Sequence, residues 1–205
     1  MDAENAFETL LHTTQAVCRQ HPDVRALVPF PTDVTPQPVT PKPCPCSAYL
    51  EQETGWDHDP TYAELSTAII RAGPHAHWRE TYKNTGIGDH FMDRFGCYCI
   101  IGPEGPFMSQ TARVFMVYMP PHLYYPWHHH PAEELYLVLS GAAIFCKADA
   151  PDTTLRAGDV SFHESNRSHA METRDAPVLC LVLWRNEFDT PPVLSAQAKT
   201  TRAKA

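Results

Sequence analysis

From residue 95 onward the chain is built from short apolar or alternating runs: "CYCII", "ARVFMVYM", "ELYLVLSG", "AAIFCKA", "DVSFH", "HAMET" and "APVLCLVLW". Gly102, Gly105, Gly141 and the "AGD" at Ala157 to Asp159 punctuate them. Many short strands with turn signals at close spacing point to an all-β barrel or sandwich. The pattern carries no internal repeat.

The first half has a different character. Phe7, Leu10, Leu11, Val17 and Cys18 recur at helical spacing, so residues 4 to 20 read as an amphipathic helix. Seven prolines between residues 29 and 45 exclude helix and central strand, and favour an extended connector. A second helix follows, with Asp59 as N-cap, Pro60 in its first turn, Tyr62, Leu65 and Ile69 on one face, and Gly73 as its stop. The expected organisation is N-terminal helices and a Pro-rich connector over residues 1–90, packing on a β-barrel over 91–190, with a frayed tail at 191–205.

A chain of 205 residues fits one domain, or one domain with an added segment. The formal net charge of −8, without a long basic run, argues against nucleic acid and against an anionic membrane surface. No run of ~20 apolar residues is present to span a bilayer, and the acidic N-terminus lacks the pattern of a signal peptide. The seven cysteines are odd in number and form no framework, which reads as reduced thiols in a cytoplasmic protein. Cys44 and Cys46 form a "CPC" with no second ligand pair nearby, so it reads as a loop rather than a metal clip.

The chemistry concentrates in "YYPWHHHPAEELYLVLSG", from Tyr124 to Gly141. Side chains alternate faces along a strand. His128, His130, Glu134 and Tyr136 are all even-numbered, whereas Leu135, Leu137 and Leu139 take the opposite face. Pro131 favours an extended residue at His130. Two imidazoles, a carboxylate and a phenol then share one surface, with His129 and Glu133 pointing away. Imidazole with carboxylate is a ligand set for one divalent transition metal: Zn, Fe, Mn, Ni or Co. A further ligand must come from elsewhere. His169 opens the strand after "AGDVSFHESNRS", and a hairpin there would set it beside the upstream ligands. His163 has the wrong spacing for this role and is expected on the pocket wall or the surface.

These residues resemble the cupins. The first cupin motif, His-x-His, three residues, Glu, six residues, Gly, is matched at His128, His130, Glu134 and Gly141. The second, Gly, five residues, Pro-x-Gly, two residues, His, is matched at Gly158 and His169, with Glu164 and Asn166 in place of its Pro and Gly. Asn tolerates the left-handed backbone such a turn needs. "YYPWHHHPAEELY", "IGPEGP" and the helical N-terminal segment are similar to one branch, the cupin-type dimethylsulfoniopropionate (DMSP) lyases.

The resemblance implies a cupin barrel and an enzyme that releases dimethyl sulfide from DMSP, leaving acrylate. It also implies that His130, Glu134 and His169 hold the metal, with His128 as ligand or near neighbour. Tyr136 is then the catalytic base, and Tyr125 and Trp184 line the substrate pocket. Tyr124 and Trp127 join them as candidates for an aromatic surround of the sulfonium. The implied partner is this small molecule, bound by a monomer or homodimer. Two other readings compete: a metallocupin dioxygenase for a thiol or small acid, and a non-catalytic small-molecule-binding cupin. Tyr136 discriminates, because a lyase needs that phenol and a dioxygenase needs only the metal and an open coordination position.

Overall fold

The structure, a computed structural model, describes residues 2–54 and 59–195. Helix α1 spans Ala3–Gln20, and the Asp2 side chain caps it by accepting from the Asn5 N–H at 3.0 Å. A short α2 follows at Pro22–Leu27, then the extended proline-rich connector with a two-residue strand β1 at Thr35–Pro36. Helix α3 spans Pro45–Gln52, with Pro45 in its first turn. Cys44 and Cys46, at its N-terminus, are joined in a disulfide, which corrects the expectation of seven reduced thiols. Their Cα atoms lie 5.4 Å apart, within the span a disulfide bridges.

Helix α4 spans Ala63–Ala72, one turn later than the Asp59 cap implied. Asp59 instead holds a preceding turn, accepting from the Thr61 N–H at 2.8 Å. A short α5 at Asp89–Met92 leads into the barrel. The barrel strands are β2 Gly96–Ile101, β3 Phe107–Met108, β4 Arg113–Met119, β5 Tyr124–His129, β6 Glu133–Lys147, β7 Thr153–Arg156, β8 Val160–His163, β9 His169–Glu172, β10 Val178–Arg185 and β11 Val193–Leu194.

Strand β6 organises the barrel because it belongs to two sheets. Its first half pairs with β10 and β8, and its second half with β7 and β9. The path β1-β3-β2-β4-β10-β6-β9-β5-β11 runs through that junction. Gly141, the last residue of the first motif, sits where β6 changes sheet. Its φ is +74°, and a Cβ there would meet the Pro177 carbonyl oxygen at 1.8 Å. Only glycine fits both constraints. This is a mainly β protein with the two-sheet cupin barrel and an N-terminal helical segment.

The alternation read in β6 has physical consequences. Leu135, Leu137 and Leu139 join Leu179, Leu181 and Leu183 of β10 in a core completed by Leu10, Leu65 and Ile69 of α1 and α4. The even face, with Tyr136 and Val138, turns into the barrel and packs with Phe115, Tyr125 and Trp184. The helices thus cover the outside of one sheet. The stretch around Tyr82, Phe91 and Phe95 contributes to the barrel interior.

The tail differs from expectation over residues 191–195. β11 pairs with β5, and the Ser195 N–H reaches the Trp127 carbonyl at 2.8 Å. Residues 196–205 lie outside the described residues.

Candidate metal centre and active site

Three strands deliver the cluster. Glu134 lies on β6 and His169 opens β9, while β5 carries His128 and leads into His130. His169 is not brought in by a hairpin, as the sequence reading had it. β8 and β9 belong to different sheets, and His169 pairs directly opposite His128 between β9 and β5. The crossing between the sheets uses Asn166 at φ +59°, the left-handed conformation expected where the motif has glycine.

His130, Glu134 and His169 are buried, and one ligand atom from each lies within 4.8 Å of the others. The Nε2 atoms of His130 and His169 stand 3.4 and 3.0 Å from Glu134 Oε2. Neither makes a hydrogen bond among the described residues. Both Nδ1 atoms face backbone carbonyls, of Ala132 at 3.0 Å and of Arg167 at 2.8 Å. A carbonyl only accepts, so the proton sits on Nδ1 and leaves the Nε2 lone pair free. His128 follows the same rule, with Nδ1 2.8 Å from the Pro126 carbonyl. Two buried nitrogen lone pairs converging beside a carboxylate fit a divalent transition metal, and this donor set is that of metals bound by imidazole and carboxylate.

His128 stands beside this group. Its ring is 4.1 Å from that of His169 and stacks on Tyr125 at 4.0 Å, yet it is not among the converging ligand atoms. His129 turns away, with Nδ1 2.8 Å from the Ser195 hydroxyl.

The Glu134 carboxylate is held from both sides. Oε1 accepts from the Trp184 indole N–H at 2.7 Å, and Oε2 accepts from His163 Nδ1 at 2.9 Å. His163 Nε2 in turn lies 2.9 Å from the Ser161 hydroxyl. His163 is therefore neither surface nor pocket wall: it is 1% exposed and pairs directly opposite Glu134 across β6 and β8.

Electrostatics follow from this arrangement. Burial pushes the Glu134 carboxyl up, but the surrounding His130, His163 and His169 outweigh it and hold it well below the carboxylate range. For His130, burial acts downward and the Glu134 charge outweighs it, raising the imidazole. Burial, followed by His169, holds His163 down at about 3 and His128 well below its ordinary value. Burial and then the Glu134 charge push the Tyr136 phenol well above 10.

The cluster opens onto a cavity of about 360 Å³. Tyr136, Tyr125 and Trp184 line it, as expected. Tyr124 and Trp127 do not: Tyr124 is 43% exposed, and Trp127 lies in the register break of β5 between Tyr125 and His128. The sequence reading missed Phe115, Tyr82, Phe95, Arg79 and Arg113. Phe115 was accessible through the alternation of Arg113, Phe115 and Val117 on β4. No periodicity marks Tyr82, which lies in a turn.

The barrel and its buried His, His and Glu define a cupin with a candidate metal centre. The chain belongs to the DMSP lyase family, whose profile matches residues 25–180. It is 46% identical to the dimethylsulfoniopropionate lyase DddQ of Ruegeria pomeroyi over 193 residues, covering 93% of this chain and 94% of that protein. The crystal structure of DddQ from Ruegeria pomeroyi superposes with a TM-score of 0.91 at 44% identity, covering 93% of this chain and 96% of that one. A chain described with the DMSP lyases RdDddP and RnDddQII also gives 0.91, at 35% identity, covering 95% and 100%.

Proposed function

We propose that the protein eliminates dimethyl sulfide from DMSP, leaving acrylate, with a divalent transition metal held by His130, Glu134 and His169 and with Tyr136 as the base. The observation that carries the metal site is the pair of buried, unpartnered Nε2 atoms facing one carboxylate oxygen. His128 completes the wall of that site. When bound, such a metal supplies a positive charge that holds a carboxylate and offsets negative charge developing beside it.

The residues then divide the work. Tyr136 lies two residues after Glu134 on the same strand face and lines the same cavity. Its phenolate takes the proton from the carbon next to the substrate carboxylate. The C–H electrons form the new double bond, the bond from the neighbouring carbon to sulfur breaks, and its electron pair leaves on neutral dimethyl sulfide. Burial and Glu134 hold the phenol protonated in the absence of a cation. A nearby divalent charge acts in the opposite sense, so this base depends on the metal.

Tyr125 and Trp184, with Phe115 at 5.2 Å from Trp184, supply aromatic surface for the sulfonium. The substrate is a small molecule, and no helix among the described residues is long and apolar enough to cross a membrane.

The test is headspace detection of dimethyl sulfide from purified, metal-loaded protein given DMSP, before and after chelation. Release that survives complete removal of metal would overturn the metal role. Absence of release from the loaded protein would overturn the lyase reading and favour an oxygen-dependent cupin.

A further inference from the structure

Tyr82 sits in the turn that runs from Thr81 to Gly86, between α4 and the barrel, yet it is 2% exposed. Its hydroxyl lies 2.6 Å from the hydroxyl of Tyr125. The Tyr82 ring meets Tyr125 edge-on at 5.7 Å and Phe91 at 6.0 Å. Tyr125 is clamped in turn between Phe95 at 4.7 Å and His128, on which it stacks at 4.0 Å. The turn itself is fixed, since the Tyr82 carbonyl accepts from both the N–H and the hydroxyl of Thr85.

Two phenols carry two protons, and their shared hydrogen bond uses one. Neither hydroxyl has another hydrogen bond among the described residues, and both rings line the cavity. The pair therefore keeps one O–H to give, and the cavity is where a carboxylate acceptor arrives. Tyr125 is the member stacked on His128, beside the metal cluster. Donation from Tyr82 to Tyr125 leaves the outgoing O–H on Tyr125 and strengthens it by polarisation along the chain of bonds.

We propose that Tyr82 is a positioning residue for the elimination: its hydroxyl orients that of Tyr125, and through it the pair donates one hydrogen bond to the substrate carboxylate. This rests on the reading of the cavity as the lyase site. The turn before the barrel thereby takes part in substrate recognition without contributing a ligand to the metal.

The test compares metal-loaded wild type, Tyr82→Phe, Tyr125→Phe and the double variant. Propionate binding is measured by calorimetry, and dimethyl sulfide release is measured in parallel. Phenylalanine keeps both rings, so metal content and melting temperature report whether each variant is intact. Tyr82→Phe should weaken propionate and lower kcat/KM for DMSP by about three- to tenfold, because Tyr125 keeps its own O–H but loses the partner that orients and polarises it. A second Tyr82→Phe change should cost less than about twofold in the Tyr125→Phe background, because the two hydroxyls act as one unit. Binding of trimethylsulfonium, which has no carboxylate, should be unchanged in all three variants.

Equal losses from Tyr82→Phe in both backgrounds would overturn the proposal. So would propionate affinity within about twofold of wild type in Tyr82→Phe. Wild-type protein that releases no dimethyl sulfide would overturn the lyase reading, while the propionate arm would still decide the coupling of the pair.

Discussion

Replacing Trp184 by Phe isolates a single hydrogen bond at the centre of the site. Glu134 is 2% exposed, and the indole N–H at 2.7 Å is the hydrogen bond of its Oε1. Phenylalanine retains an aromatic ring to stack on His130, now 4.2 Å away, and to meet Phe115 at 5.2 Å. What it removes is the donor, and a buried charged oxygen then lacks its partner. Hydrogen bonds to charged groups contribute about 1.5–3 kcal/mol, and partners that orient a metal ligand typically change affinity by about 10–100-fold. Trp184→Phe should accordingly weaken metal binding by one to two orders of magnitude while the barrel stays folded. The assay is competition for metal between the variant and a chelator of known affinity, with circular dichroism to verify the fold. Affinity within about twofold of wild type would refute the reasoning, since it would mean that Glu134 keeps its orientation without the indole.

Other substitutions separate the remaining roles. Tyr136→Phe should keep the metal and lose about 10²–10⁴-fold in dimethyl sulfide release, the usual contribution of a general base; a metal-loaded variant of near-normal rate would exclude the phenolate. His169→Ala should empty the site in elemental analysis, whereas His163→Ala should weaken the metal by about 10–100-fold without abolishing binding; the reverse order would invalidate the assignment of ligand and support. The metal-free protein should be sensitive to acid. His163 is held down at about 3 and His128 is also depressed, so both stay neutral in the folded chain while the unfolded chain takes up protons below 6.5. Stability is then fully present above 6.5 and declines as pH falls towards 3, by up to ~1.4 kcal/mol per pH unit for each histidine. A melting temperature that stays constant between about pH 7 and about pH 5 would contradict this.

The candidate site was legible where strand alternation alone decides it. Glu134 and Tyr136 share a face of β6 because their spacing is two, and the odd leucines fill the other side for the same reason. Motif spacing identified His169, and Asn166 took the left-handed turn that the motif requires. Alternation failed at β5. The register break between Tyr125 and His128 puts Tyr125 rather than Tyr124 on the cavity side with His128, and nothing in "YYPW" announces it. His163 was misread because its motif spacing was weighed instead of its cross-strand partner. Pairing β8 against β6 puts it opposite Glu134, but that register depends on the whole barrel closing. Tyr82 and the 191–195 segment were invisible for a related reason, since each joins the barrel through contacts distant in sequence.

The even face of β6 is a poor choice for stability and is therefore informative. Four imidazoles, of His128, His130, His163 and His169, surround one carboxylate inside the barrel, with His163 and His169 stacked at 4.0 Å. Replacing such a buried polar group by packed apolar side chains is often neutral or stabilising. The protonation pattern shows what the cluster favours instead. Three of the rings direct Nδ1 at a backbone carbonyl, and the fourth directs it at Glu134. These contacts place a proton on every Nδ1 and turn the Nε2 atoms of His130 and His169 towards the Glu134 carboxylate. His130 is raised because it is the ring on which that charge overcomes burial. A protonated His130 would use the same Nε2 that otherwise faces the carboxylate as a free lone pair, so proton and metal compete for one position. A divalent cation satisfies His130, His169 and Glu134 together, which a proton on one nitrogen cannot. Such a charge would also act on Tyr136, which burial and Glu134 otherwise keep protonated. The residues that make the barrel interior costly to bury are thus the ones whose cost a metal would offset.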